Sequence, residues 1–226
     1  KPFDDIEVRK AINLAIDKNK IIQLAMNGKG SPIYTNMSPV MSKFLWAAPE
    51  EKADPQKAKQ ILEEKKLLPM EFTLKVPNSS KIYLDTAQSI REQLKEVGIT
   101  VNLEMIEWAT WLSDVYTNRK YVASLAGLAG KMEPDAILRR YTSTYAKNFT
   151  NFNNTKYDAL IEEAKRTSNE AKQVENYKEA QKILAEEQAA IFLMDPNTII
   201  ATEKGIEGFE FYPLPYLNFA KLYFKK

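Results

Sequence analysis

The chain contains no cysteine and no histidine among its 226 residues. Those two absences exclude disulfide staples, thiol nucleophiles, zinc sites of the usual Cys/His kind and histidine-based proton relays. A zero cysteine count is compatible with either redox compartment. Glycine is scarce, at seven residues. Gly127 and Gly130 form no phosphate loop, because no Lys-Ser/Thr pair or suitable helix start follows them. Net charge is small, 32 basic against 30 acidic side chains, and the lysines are scattered. Neither nucleic acid nor an anionic membrane surface is therefore an expected partner. No apolar run approaches the roughly 20 residues of a membrane span, and no motif calls for a cofactor.

What is present supports a real core. Hydrophobic residues make up 44% of the chain, enough for one large domain or two small ones. Asp4 or Asp5 can cap a first helix on which Val8, Ala11, Ile12, Ala15 and Ile16 share one face. Asp17 caps a second helix carrying Ile21, Ile22, Leu24 and Ala25, ended by Gly28. Residues 29–53, with Pro32, Pro39 and Pro49, lack periodicity and read as a long irregular excursion, a kind of loop that is usually functional or pinned to another surface. Asp54-Pro55 restarts helix, as cap and first helical residue.

Residues 71–76 alternate as a strand, with Phe72, Leu74 and Val76 on one side. Ser79 or Ser80 opens a helix with the stripe Leu84, Ala87, Ile90, Leu94 and Val97, and Gly98 is the natural stop. Ile99, Val101, Leu103 and Met105 alternate again. Strand, helix and strand over 71–106 predict a right-handed crossover with parallel strands, so the class is α/β. A short helix is expected around 110–116, a strand at 121–126 and helical turns at 135–141. Asn151-Phe152-Asn153-Asn154 reads as a polar loop ending in a helix cap. The helix after it buries Tyr157, Leu160, Ile161 and Ala164, and a longer one buries Val174, Tyr177, Ala180, Ile183 and Leu184. Residues 191–194 read as a short apolar strand, and 198–226 as extended pieces rich in Tyr, Phe and Pro.

Between Val97 and Asp135, polar and aromatic groups fall at strand ends, where α/β proteins place ligands. Trp108 follows such an end, and either stacks on a ligand or closes the top of the core; spacing leaves both open. Trp111, three residues on, reads as core. Glu133 and Asp135 flank Pro134 and suggest either a carboxylate pair for acid–base chemistry, a thin hard-cation site, or, for Asp135, a helix cap. Asn151, Asn153 and Asn154 fit ligand hydrogen bonds or turn and cap chemistry.

A wider pattern resembles the C-terminal part of a solute-binding protein of the oligopeptide/dipeptide ABC-importer family (family 5, cluster C). It runs from Pro2-Phe3-Asp4-Asp5-Ile6-Glu7-Val8-Arg9-Lys10-Ala11-Ile12 and Ala15-Ile16-Asp17, through Asp54-Pro55 with Lys57-Ala58, to Gln88-Ser89-Ile90, Gln93-Leu94 and Gly98-Ile99. It continues in Glu107-Trp108, Gly127, Glu133-Pro134, Asn151-Phe152-Asn154, Tyr157-Asp158 and Tyr177-Lys178-Glu179-Ala180-Gln181-Lys182-Ile183-Leu184. Each piece is short; their shared order covers nearly the whole chain.

The resemblance implies a periplasmic-binding-protein-like lobe of type II, with a mixed sheet flanked by helices. Residues 1–195 would form the C-terminal ligand-binding lobe, and 196–226 a tail crossing back to an N-terminal lobe outside this chain. The opening at Lys1-Pro2-Phe3-Asp4, without Met or signal peptide, reads as an excised or processed piece. The implied protein is a monomeric, non-enzymatic component of an ABC importer, extracytoplasmic (periplasmic or lipid-anchored), with a peptide or small-molecule ligand and a membrane permease as partners. By resemblance, Trp108 lines the ligand pocket, and the backbone of Ala126-Gly127-Leu128-Ala129 pairs with a bound peptide as an added strand. The family's Trp after that Gly is Leu128 here, and Gly130 or Lys131 stands where the family has an Asp for the peptide's α-amino group. An ammonium facing Lys131 loses an ion pair and meets a repulsion, a change on the order of a few kcal/mol in a desolvated site. Room is thereby left for a sugar, a metal chelate or a peptide without a free amine.

Overall fold

Short polar side chains start the first helices where the sequence places them. In the computed structural model, which describes residues 1–212 and 218–225, Asp5 caps α1 (Ile6–Ala15) by accepting the Glu7 N–H at 2.8 Å. Asp17 caps α2 (Lys18–Met26) through the N–H groups of Asn19 and Lys20. Asn27 at φ +49° and Gly28 at +75° then turn the chain left-handed and end α2. Leu24 departs from the expected apolar face of this helix and is 57% exposed.

A short strand β1 (Gly30–Pro32) follows, and Asp54 caps α3 (Pro55–Glu64) at the Lys57 N–H. The crossover unit is as the alternation predicts: β2 (Met70–Pro77), α4 (Lys81–Glu96) capped by Ser80, and β3 (Ile99–Ile106). β2 and β3 pair in parallel from Met70↔Ile99 to Pro77↔Ile106. Next come α5 (Trp108–Trp111), running into a π-helical turn at Leu112–Thr117, and β4 (Ala123–Ser124). α6 (Pro134–Leu138), α7 (Thr155–Arg166) and α8 (Glu170–Glu186) complete the helices. The tail carries β5 (Met194–Pro196), β6 (Ile206–Glu207) and β7 (Tyr223–Phe224).

The principal sheet has the order β3-β2-β4 and is wholly parallel; the antiparallel pairs are separate ribbons, β1 with β5 and β6 with β7. Two expectations shift in detail. β4 is two residues rather than six, because only Leu74↔Ala123 and Lys75↔Ser124 pair with β2. The apolar run 191–194 enters strand only at Met194, where the register with β1 begins at Pro32. Part of the tail expected to be extended, 213–217 and 226, lies outside the described residues.

Apolar burial occurs in two main clusters. One gathers α1–α4 around the sheet, with Val8, Ile21, Leu62, Val76, Leu94 and Ile99. The other packs α6, α7 and α8 around Leu138, Tyr157, Ile161 and Leu184. Arg9 links them: its guanidinium donates to the carbonyls of Phe3 and Asp4 beside α1 and to those of Glu187 and Gln188 at the end of α8. One cation thus satisfies carbonyls at a helix C-terminus, where the macrodipole is negative.

The excursion 29–53 is pinned rather than free. Fully buried Gln181 on α8 donates to the carbonyls of Phe44 and Tyr177 and accepts from the Thr35 hydroxyl and the Trp46 N–H. Met37 is buried in the helical cluster.

Candidate functional site

Three parallel strands end at the same edge of the sheet, and the chain leaves them in different directions. β2 lies between β3, reached through α4, and β4, reached later. That reversal of strand order makes a topological switch point at the carboxyl edge, the place where open α/β sheets receive ligands.

At the β2–β3 side the edge is tightly built. The Asn78 N–H donates to the Ile106 carbonyl at 2.9 Å, and the Asn78 side-chain amide donates to Glu107 Oε1 at 2.6 Å. Glu107 is the residue before α5, and Trp108 opens that helix. The Trp108 indole is 39% exposed and lies flat on Trp111, with centroids 5.0 Å apart and planes 5° from parallel. Trp111 is 1% exposed. Its Nε1–H donates to Ser124 Oγ at 2.8 Å, and that hydroxyl donates to the Lys75 carbonyl at 2.9 Å. The buried indole therefore ties α5 to β4 and β2, while Phe149 and Tyr116 pack around it. Tyr121 joins the same cluster and donates to the Phe149 carbonyl; burial pushes its phenol above the ordinary range. One face of Trp108 is stacked on the core, and much of the ring remains open.

At the β2–β4 side, the last ladder bond is Leu125 N–H to the Lys75 carbonyl. Ala126 is half-buried against the aromatic cluster. Gly127 comes under Tyr83, in the first turn of α4: its N–H donates to the Tyr83 hydroxyl at 3.2 Å, and a Cβ there would lie 2.9 Å from that oxygen. Leu128, Ala129, Gly130 and Lys131 are exposed. Among the described residues the N–H groups of 128–131 have no backbone partner, and a Cβ on Gly130 would meet open space. The Ala129 carbonyl accepts from Arg140 at 3.4 Å. Unpaired, exposed backbone beside a parallel sheet is a template for strand addition.

The other sequence candidates fall elsewhere. The residue before α6 is Glu133, not Asp135, and its side chain makes no capping bond. Pro134 takes the first helical position and thereby places Asp135 inside the first turn, paired with Arg139 at 3.6 Å. That pair uses Oδ2, and Asp135 Oδ1 is buried with no hydrogen-bond partner among the described residues. Among the described residues no cluster of three or more acidic side chains is arranged to hold a metal ion. Asn154 is the cap of α7, accepting the Tyr157 N–H at 2.8 Å, and Asn151 sits at φ +58°. Turn and cap chemistry accounts for both.

The sequence does not single out Tyr83, and it marks Asn78 only as part of a chance match to a glycosylation acceptor, Asn78-Ser79-Ser80. Asn78 lies between a strand end and a helix cap, and that position alone marks the carboxyl edge of a βαβ unit. The edge is exposed at Trp108 and along 127–131. Two shallow concavities of about 470 and 480 Å³ lie elsewhere, on α7 and between α7, α8 and Trp46.

Known proteins share this fold. The family model described as "Bacterial extracellular solute-binding proteins, family 5 Middle" matches residues 1–149. Oligopeptide-binding protein AppA of Bacillus subtilis is 28% identical across 93% of this chain, and the matched region covers 42% of AppA. The dipeptide-binding protein of Pseudomonas aeruginosa is 28% identical across 94% of the chain and 42% of its own length. The structure of Bacillus subtilis AppA in complex with a nonapeptide superposes with a TM-score of 0.86 at 27% identity, covering 99% of this chain and 48% of that one. The chain thus spans less than half the length of the relatives it matches. Its sequence, its sheet topology and its structural neighbours agree: this chain belongs to the bacterial extracellular solute-binding proteins of family 5.

Proposed function

We propose that this chain is the C-terminal lobe of an extracytoplasmic solute-binding component of an ABC importer, and that its sheet edge is one wall of a cleft that captures a peptide. The observation that carries this reading is the open carboxyl edge, where Trp108 and the unpaired backbone of 128–131 flank the switch point. The names of its relatives and the nonapeptide in AppA favour peptide as the ligand class. In this reading a peptide in extended form pairs with the backbone around Gly127–Lys131, and Trp108 contributes roughly 1–2 kcal/mol of contact and quadrupole energy. A second lobe covers the opposite face, and closure turns binding into a shape that a membrane permease recognises.

Residues 1–195 form the lobe in this proposal, and 196–226 return to the other lobe. The exposed Phe211, Phe219, Tyr223 and Phe224 support that assignment, since such a set of aromatics is ordinarily covered. The intact protein acts as a monomer outside the cytoplasm and catalyses no reaction on its ligand; among the described residues no helix is long and apolar enough to cross a membrane.

Thermal-shift screening of the intact protein against peptides of two to nine residues, oligosaccharides and metal chelates tests the reading. Peptides should raise the melting temperature and be recovered unchanged. A shift by sugars or chelates alone would replace the ligand class. Peptide turnover abolished by Glu133→Gln in a folded protein would replace the proposal with a hydrolase.

A further inference from the structure

A proline interrupts the ladder that would carry β4 further along β2. Lys75 faces β4, its carbonyl accepting the Leu125 N–H at 3.0 Å, while Asn78 faces β3 and donates to the Ile106 carbonyl. Alternation along β2 turns Pro77 toward β4, where it has no N–H to give the Leu125 carbonyl. No other group among the described residues donates to that carbonyl.

Tyr83 takes over where the ladder stops. Its ring packs against the sheet cluster from the first turn of α4. Its hydroxyl accepts the Gly127 N–H at 3.2 Å, the N–H that a continued ladder would aim at β2. Glycine permits this approach, since a Cβ at 127 would lie 2.9 Å from the same oxygen.

From Leu125 to Lys131 the chain makes no turn or bend, and no residue has a positive φ. The segment thus keeps the extended course of β4 without a strand beside it. Backbone groups of an extended segment alternate in direction, so those of 125, 127 and 129 point to one side and those of 126, 128 and 130 to the other. Each residue of the first set has one group engaged within the protein, at Lys75, Tyr83 and Arg140. Neither N–H nor carbonyl of the second set has a partner among the described residues.

We propose that Tyr83 is a positioning residue for the ligand: by holding Gly127 in the extended register, it presents Ala126, Leu128 and Gly130 as the residues that pair with a peptide backbone. The inference rests on the peptide reading above and adds to it the register of pairing and the side chain that sets it. A segment held extended before the ligand arrives removes part of the ordering cost of binding.

The test compares the unmodified intact protein with Tyr83→Phe, which keeps the ring and removes the hydroxyl. The probe is the peptide of two to nine residues that raises the melting temperature most in the thermal-shift screen. Amide exchange is read residue by residue by nuclear magnetic resonance, and the dissociation constant by calorimetry. In free Tyr83→Phe, exchange should quicken at Gly127 and its neighbours in 126–131, and stay unchanged along α4. The variant should bind the peptide about threefold to tenfold more weakly, as expected for one neutral hydrogen bond. In the unmodified protein, bound peptide should slow exchange more at Ala126, Leu128 and Gly130 than at Ala129. Unchanged affinity in Tyr83→Phe, faster exchange spread through α4, or the opposite alternation overturns the inference while peptide binding itself stands. Absence of a melting shift with every peptide overturns the peptide reading and this inference together.

Discussion

At the amino end of the parallel sheet, Met70 and Val97 are buried, Ile99 is 1% exposed and Gly98 turns against Leu68. At the carboxyl end of the same strands, Trp108, Leu128 and Met132 are open, Met132 at 62%. The two ends share strands and differ in what the chain does next. At the amino end, local turns bring β2 and β3 in from α3 and α4, whose side chains close over the core, whereas β4 enters from the exposed Val122. At the carboxyl end, the strand order reverses and the exits diverge, so among the described residues no local segment covers the edge. Burial is therefore concentrated at one end and exposed apolar surface at the other.

The adjacent indoles give the largest contrast. Trp111→Ala removes a buried ring and its bond to Ser124, and should cost about 3–5 kcal/mol in denaturant unfolding. Trp108→Ala, three residues away, should cost less than about 1 kcal/mol of stability. Its effect should fall on peptide affinity, at about tenfold. Similar stability losses in the two variants would erase the distinction between core and rim.

Lys18 tests whether burial alone, away from either end, sets such costs. Its ammonium is buried on α2, donates to the Ile33 carbonyl at 3.1 Å and lies 4.1 Å over the Tyr34 ring. Desolvation lowers its pKa to about 8, against an upward pull from Glu51. The unfolded chain binds more protons than the folded one between pH 8 and the ordinary lysine value of 10.5. Stability contributed through this group should therefore rise with pH across that window, by on the order of 1–3 kcal/mol. Lys18→Met should flatten that rise and stabilise the protein at pH 7; an identical pH profile in the variant would contradict the burial.

The two glycines at the ends give the smaller effects. Gly98 has φ +87°, so Gly98→Ala should cost about 1–2 kcal/mol through backbone strain. Gly127 has no such angle, and its constraint is the Tyr83 hydroxyl. Gly127→Ala should cost about 1 kcal/mol or less, and nothing further in a Tyr83→Phe background, where the clashing oxygen is gone. Additive losses in the double variant would place the clash elsewhere.

Local chemistry explains which parts of the chain were readable. Asp5, Asp17, Asp54 and Asn154 are caps whose partners lie two or three residues away, and each signals itself in sequence. The alternation in β2 and β3 likewise revealed the crossover. The course of residues 29–53 depends on Gln181, more than 130 residues distant, and no local pattern encodes that. β4 is short because pairing with β2, rather than its own apolar run, sets its length. At the site, Trp108 and Gly127 were visible as residues at strand ends. Tyr83 and Glu107 acquire their places only when α4 and β3 are laid beside β2.

Hydrogen exchange of the intact protein, with and without a peptide that raises its melting temperature, tests the division between the ends most directly. The account predicts that bound peptide slows exchange at the N–H groups of 128–131 and leaves those of 97–99 unchanged. Protection confined to α7, α8 or the amino end, with 128–131 unaffected at saturating peptide, would contradict it.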